Sequence, residues 1–323
     1  MHASSDNAEQ QLSLVAANRR GMLAMSVAMA LFIANDAFVK HVSATLPSGQ
    51  LIFLRGLMAT GLLLVLAQAM GVLRQWPLLW NRWVWLRGAL DGSASLIYLT
   101  AVFHLPLGNA TAINLASPLF IVLFAMGFYG EKVGWGRGLA IIVGFVGVLL
   151  VVQPKADGFN HYALLCVVAT FLHASRDILT RFIPSHIPAA LITLSTAISV
   201  SVFSGLWALT VPWVPTDNAS LLYLGCAALF LAAAYFLLIQ AMRAGDMSVV
   251  APFRYSGLIF ALLIGYGVWG EVPNLLTWAG IVLLVGAGLS ILHSERRRHQ
   301  AAHQAMAHAN PTPSASHKES PHD

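Results

Sequence analysis

Apolar residues run along the chain in ten blocks of roughly membrane-spanning length, split by short connections. The blocks cover about 21–42, 49–71, 84–104, 107–128, 134–153, 161–181, 188–211, 219–242, 247–269 and 273–292. A helix that crosses a bilayer needs about 20 mainly apolar residues. A membrane strand is half as long and alternates apolar with polar positions, which these blocks do not do. The pattern predicts an all-α membrane protein with ten transmembrane helices. Residues that end helices fall near the block ends: Pro47, Pro77, Pro106, Pro154, Pro188, Pro215 and Pro273.

Composition sharpens this. Of 323 residues, 58% are hydrophobic and 10% charged, where a soluble domain carries about 25% charge. The mean hydropathy is +0.72. Such an excess of apolar surface has to face lipid. Cys166 and Cys226 lie inside apolar blocks and read as small hydrophobes, too few for a disulfide framework or a four-ligand zinc site. No cofactor and no metal is expected. The net charge of +5 is spread between blocks rather than gathered on one face, so no nucleic-acid partner is expected. With the N-terminus placed inside, the segments assigned to the cytoplasm hold 13 Lys and Arg and the external ones hold two, Lys40 and Lys155. That asymmetry predicts a multi-pass protein of a bacterial inner membrane with both termini cytoplasmic. Residues 1–20 read as a polar cytoplasmic tail that lacks a signal-peptide core. Residues 295–323 read as a disordered tail containing His299, His303, His308, His317 and His322.

The two halves resemble each other at an offset of 140 or 141 residues. Asn35-Asp36-Ala37-Phe38-Val39-Lys40 matches Arg176-Asp177-Ile178-Leu179-Thr180-Arg181, Pro47 matches Pro188, and Tyr129-Gly130-Glu131 matches Trp269-Gly270-Glu271. Each half, 21–154 and 160–292, holds five spans. Five is odd, so the second half enters the membrane from the opposite side. This is the inverted repeat common among secondary transporters, whose substrate site lies near the bilayer midplane between the halves.

Several pieces of the chain resemble the EamA family of the drug/metabolite transporter superfamily. They are Asn35-Asp36 with Lys40, Phe53-Leu54-Arg55-Gly56, Ala110-Thr111-Ala112 with Ser117-Pro118-Leu119, the Tyr129-Gly130-Glu131 turn, Val151-Val152-Gln153-Pro154, Ala251-Pro252-Phe253-Arg254-Tyr255 and Trp269-Gly270-Glu271. The Asn-Asp, Ala-Pro-Phe-Arg-Tyr and Gly-Glu-x-Pro pieces are similar to those of S-adenosylmethionine uptake carriers. Related carriers take riboflavin or amino acids, or export opine metallophores. The resemblance implies that spans 1–4 and 6–9 line a central cavity while spans 5 and 10 pack outside it.

Ionisable groups at membrane depth cost about 2.5–3.5 kcal/mol each on insertion scales, so they mark function or pairing. They are Asp36, Arg55, Asp91, Arg176, Asp177 and Arg254. Asp36 with Lys40, Asp177 with Arg181, and Arg87 with Asp91 are spaced for pairs within one helix. The same carboxylates are candidates for binding a cationic group or a coupling proton, and Asn35, Asp36, Arg176 and Asp177 for a gate network. Arg55 and Arg254 have no carboxylate one turn away. Each reads either as a bridge to another helix or as a contact to a solute carboxylate. Asn109, Asn114 and Gln240 offer hydrogen bonds at depth, and Tyr98, Tyr235, Phe236 and Tyr255 offer aromatic faces. His104 and His173 read as packed side chains, and Glu131 and Glu271 as turn and capping residues. Glycines around spans 5 and 10 predict close helix packing and are compatible with a homodimer contact.

The reading is a secondary transporter that moves a small polar or zwitterionic solute by alternating access. An S-adenosylmethionine-like or amino-acid-like solute is favoured, with riboflavin uptake or export of amino acids or opine metallophores as the alternative. A structural or sensory membrane protein is the rival class. No phosphate-binding loop is present, so ATP does not drive the chain directly, and no nucleophile–base set points to an enzyme.

Overall fold

The computed structural model describes residues 2–129, 135–153, 160–244 and 247–309. Glu131, Lys132, Gly134, Pro154, Lys155, His317 and His322 lie outside these residues. Every regular element among them is helical: α1 His2–Val42, α2 Ser48–Ala69, α3 Arg82–His104, α4 Leu107–Asn114, α5 Ser117–Tyr129, α6 Trp135–Val152, α7 Tyr162–Thr180, α8 Ala189–Ala208, α9 Asn218–Ala244, α10 Met247–Val250, α11 Ser256–Trp269 and α12 Leu275–Ala309. α1 already begins at His2, and helical backbone continues in α12 past the expected start of the polar tail.

Nine segments among the described residues are long and apolar enough to cross a membrane. The tenth span is α3, a 23-residue helix. Arg82, Arg87 and Asp91 dilute its hydropathy, and one side of the helix packs on α7 and α8. Its N-cap is built by Asn81, whose side chain accepts the N–H of Trp83 at 2.9 Å. At the start of α9 the exposed Asp217 accepts the N–H of Ser220, and hydrogen bonding to Ser220, first to its hydroxyl and then to its N–H, lowers the Asp217 pKa.

Helix pairing makes the inverted repeat explicit. α1 packs on α9, and its counterpart α7 packs on α3. α3 packs on α8, and likewise α9 on α2. α1 packs on α11, and likewise α7 on α4 and α5. α2 with α8, α4 with α11, and α6 with α12 are contacts of equivalent spans. Every one of these pairs is returned when each span is exchanged for the one five places on, as a pseudo-two-fold axis requires.

α6 shows how sequence sets burial. Leu139, Ile142, Val146 and Leu149 form one exposed stripe at helical spacing. Ala140, Ile141, Gly144, Gly147, Val148 and Val151 form the buried stripe opposite. At its centre a Cβ on Gly147 would come 2.8 Å from the Gly280 carbonyl, so only glycine permits this approach of α6 to α12.

The fourth and ninth spans, expected as continuous helices, are both broken. α4 stops at Asn114 and α5 restarts at Ser117; α10 gives way to a 3-10 turn, Ala251–Tyr255, before α11. Proline is the cause in each case, because it has no N–H to give the carbonyl four residues earlier. Pro118 leaves the Asn114 carbonyl without that partner. Asn114 and Arg254 lie 140 residues apart, the offset of the repeat, so the two breaks are equivalent.

Candidate solute site and gate

Asp91, on α3, is the most heavily engaged carboxylate. Its Oδ1 accepts from Arg176 of α7 at 2.6 Å, and its Oδ2 from Thr196 of α8 at 2.8 Å. Arg87, one turn earlier on α3, reaches Oδ2 at 3.4 Å and also donates to Thr196 and to Thr180, both at 3.0 Å. Arg176 continues the chain to Asp177, both of its contacts falling on Oδ1, at 3.0 and 2.8 Å. Three helices are thus joined by alternating charges. Exposure rises along the chain, from a side chain 4% exposed at Asp91 through 17% at Arg176 to 30% at Asp177, so solvent meets the network at its Asp177 end.

A second network joins α1, α2 and α3. Arg55 Nε donates to Asn35 Oδ1 at 3.0 Å, and Asn35 Nδ2 donates to Asp36 Oδ1 at 2.9 Å. Tyr98 of α3 points its hydroxyl at the other Asp36 oxygen, 3.4 Å away. The Tyr98 ring lies 5.9 Å from that of His173 on α7, which ties the two networks together. His173 Nδ1 sits 2.9 Å from Asn114 Oδ1 at the break of the fourth span. Arg254, at the break of the ninth, is exposed, and its charge is felt at His173 alongside those of Arg176, Asp91 and Asp177. Among the described residues Arg254 makes no hydrogen bond or ion pair.

At the opposite end of the bundle Lys40 of α1 is clamped between two other elements. Its Nζ reaches Glu271 Oε1 and the Leu105 carbonyl, both at 2.5 Å, and lies 4.9 Å over the Trp269 ring. The other Glu271 oxygen accepts the N–H of Leu107, the first residue of α4, at 2.7 Å. A vestibule of about 330 Å³, lined by Lys40, Ser43, Ala44, Ser48, Phe103, His104 and Trp269, ends on this cluster.

The sequence profile of the EamA-like transporter family matches residues 19–153 and 161–292, two copies in tandem. The chain belongs to the EamA-like transporter family. It is similar to a pseudopaline exporter of Pseudomonas aeruginosa, 27% identical over 288 residues that cover 86% of this chain and 98% of the exporter. It is also 32% identical to a riboflavin transporter of Rhizobium johnstonii, over 65% of this chain and 68% of that one. A third relative, an S-adenosylmethionine uptake transporter of Rickettsia bellii, is 30% identical over 59% of this chain and 66% of its own length. A solved crystal structure superposes with a TM-score of 0.60 at 19% identity, over 86% of this chain and 98% of that chain, a likeness of fold.

Within this EamA bundle the expected site residues separate. Asp36, Arg55, Asp91, Arg176 and Asp177 join the two networks, and Asn114 touches them through His173. Tyr235 packs its ring on Phe32, 5.0 Å between centroids, and lies among the charges of Asp91, Arg176, Arg87 and Arg55. Gln240 does not join them: it is exposed on α9 with no hydrogen bond among the described residues. Tyr255 does not either, being buried with its hydroxyl turned to Gly288 of α12. Of the three expected pairs within helices only Arg87–Asp91 forms. Lys40 leaves Asp36 for Glu271, and Asp177 takes Arg176 rather than Arg181, which is exposed. Glu271 does cap a helix, but α4 rather than its own. Sequence reasoning missed the Lys40–Glu271 pair, Thr196 and the His173–Asn114 contact. One signal was present: Lys40 is one of two basic residues assigned to the exterior, where Asp157, Asp217 and Glu271 are the acids.

Proposed function

We propose that this EamA-family transporter carries a small amphoteric metabolite, S-adenosylmethionine-like or amino-acid-like, across the bacterial inner membrane by alternating access. The observation that carries the reading is the pair of charged networks: one joins α3 of the first half to α7 and α8 of the second, and the other lies on α1, α2 and α3 and meets the second half at the Tyr98–His173 contact. They place both signs of charge at membrane depth, on the helices that exchange under the pseudo-two-fold axis. Asp36, Arg55, Asp91, Asn114, Arg176, Asp177, Tyr235 and Arg254 form the candidate binding and gating set. Paired breaks in equivalent spans support the location, since interrupted helices free backbone groups for a solute near the midplane. With both termini inside, the Lys40–Glu271 cluster closes the external end, while Asp177 and Arg254 meet water from the cytoplasmic end.

A riboflavin carrier is the second reading, favoured by the similarity to the Rhizobium johnstonii protein and by the aromatic residues Tyr98 and Tyr235 beside the networks. Purified protein in liposomes is expected to give saturable uptake of labelled S-adenosylmethionine or of an amino acid. Saturable flux of riboflavin alone would reverse the order of the two readings. Absence of flux for every solute, in either direction, would overturn transport of this class.

A further inference from the structure

We propose that Arg254, the counterpart of Asn114 in the second repeat, receives a carboxylate of the solute, and that this contact selects solutes bearing a free carboxylate. The inference rests on the transport reading and narrows it. Charges deep in the spans are otherwise answered. Asp36 meets Arg55 through Asn35, Asp91 and Asp177 hold Arg87 and Arg176, and Lys40 holds Glu271. Arg254 is left as an exposed guanidinium with no ion pair or hydrogen bond among the described residues. An arginine that deep is costly unless an anion or water meets it. A guanidinium fork matches a carboxylate in shape as well as charge.

The surroundings offer a pattern that a carboxylate completes. The His173 contact at 2.9 Å occupies the Asn114 carbonyl oxygen and leaves its NH₂ as a donor. Nδ1–H is assigned as the donor in that contact, so His173 Nε2 is an acceptor. Arg254 and the Asn114 amide therefore present donors only, from equivalent points of the two repeats. Acceptors lie on α7. Both Arg176 contacts go to Asp177 Oδ1, which leaves Oδ2 on a side chain 30% exposed. A carboxylate at Arg254 and a cationic group at Asp177 Oδ2 is the arrangement of an amino acid or an amino-acid-derived sulfonium.

The test is binding, read separately from transport. Purified full-length protein is titrated with S-adenosylmethionine and with its decarboxylated form, and with amino acids and their corresponding amines. At least one carboxylate is expected to bind about tenfold or more tightly than its carboxyl-free partner, the size of a charge-assisted hydrogen bond. Arg254→Gln is expected to remove that ratio with an unchanged melting temperature, and Arg254→Lys to keep part of it. Should the glutamine variant not fold, Asn114→Leu is expected to shrink the same ratio. Equal binding of the paired solutes, no binding by any carboxylate, or a ratio that survives Arg254→Gln would each overturn the subsite. In nanodiscs, protection of Arg254 from phenylglyoxal by phosphatidylglycerol but by no carboxylate would assign it to lipid headgroups, and overturn it too. Saturable flux of riboflavin, which has no carboxylate, with none for any carboxylate solute would overturn the selection while leaving carriage itself standing.

Discussion

Asp91 illustrates what a buried charge requires. Three donors from three helices converge on it, and its side chain is 4% exposed. Removing one partner of a buried pair leaves the other charge uncompensated, a loss of about 3–5 kcal/mol. Arg176→Gln is therefore expected to lower the melting temperature of the detergent-purified protein by several degrees. Adding Asp91→Asn should recover much of the loss, because the second change removes the orphaned charge. A double variant no more stable than Arg176→Gln alone would disprove the coupling. Lys40 shows the same physics by choosing between partners. A pair within one helix contributes only about 0.2–0.5 kcal/mol. Glu271, the Leu105 carbonyl and the Trp269 face together satisfy an ammonium that is 9% exposed.

Under the proposed alternating access, the turn between α11 and α12 is the element placed to hold the outer end shut. Glu271 joins it to α1 through Lys40 and to α4 through the Leu107 N–H, so one side chain holds three helix ends together. If this cluster keeps the vestibule from the networks, Lys40→Met should loosen that end. In a background carrying Cys166→Ala and Cys226→Ala, a cysteine replacing Ala37, one turn inward, is expected to react severalfold faster with an impermeant maleimide when Lys40→Met is added. The charge swap Lys40→Glu with Glu271→Lys should restore part of the protection. Unchanged reactivity in Lys40→Met would remove the latch. α6 and α12 play a different part. Their glycine-lined contact, with Gly147 on Gly280, brings the two backbones together outside the charged networks.

For the whole molecule, an odd number of spans per repeat puts the second half upside down and returns the C-terminus to the side of the N-terminus. Reporter fusions at both ends are expected to report the cytoplasmic side, and a fusion in the α8–α9 connection the opposite one. Termini on opposite faces would break the inverted arrangement. Much of this was legible in the chain itself. Span number, the repeat and its offset, the family and the identity of the deep charges all follow from local composition and order, because a lipid solvent demands long apolar helices and tolerates few ions. Which charge meets which was decided only in three dimensions. Asp36 lost Lys40, Asp177 kept its neighbour Arg176, and Asn114 found His173, because packing of α1, α3, α4 and α7 sets distances that spacing along one helix cannot. Tyr255 and Gln240 have the right chemistry at the right depth, but helix rotation turns one toward α12 and leaves the other exposed. The breaks at Asn114 and Arg254 stand between these cases. Their prolines and their spacing by the repeat offset are plain in the sequence, yet only the assembled halves set the two breaks across one axis, since a two-fold axis is a relation between helices and not a property of either one.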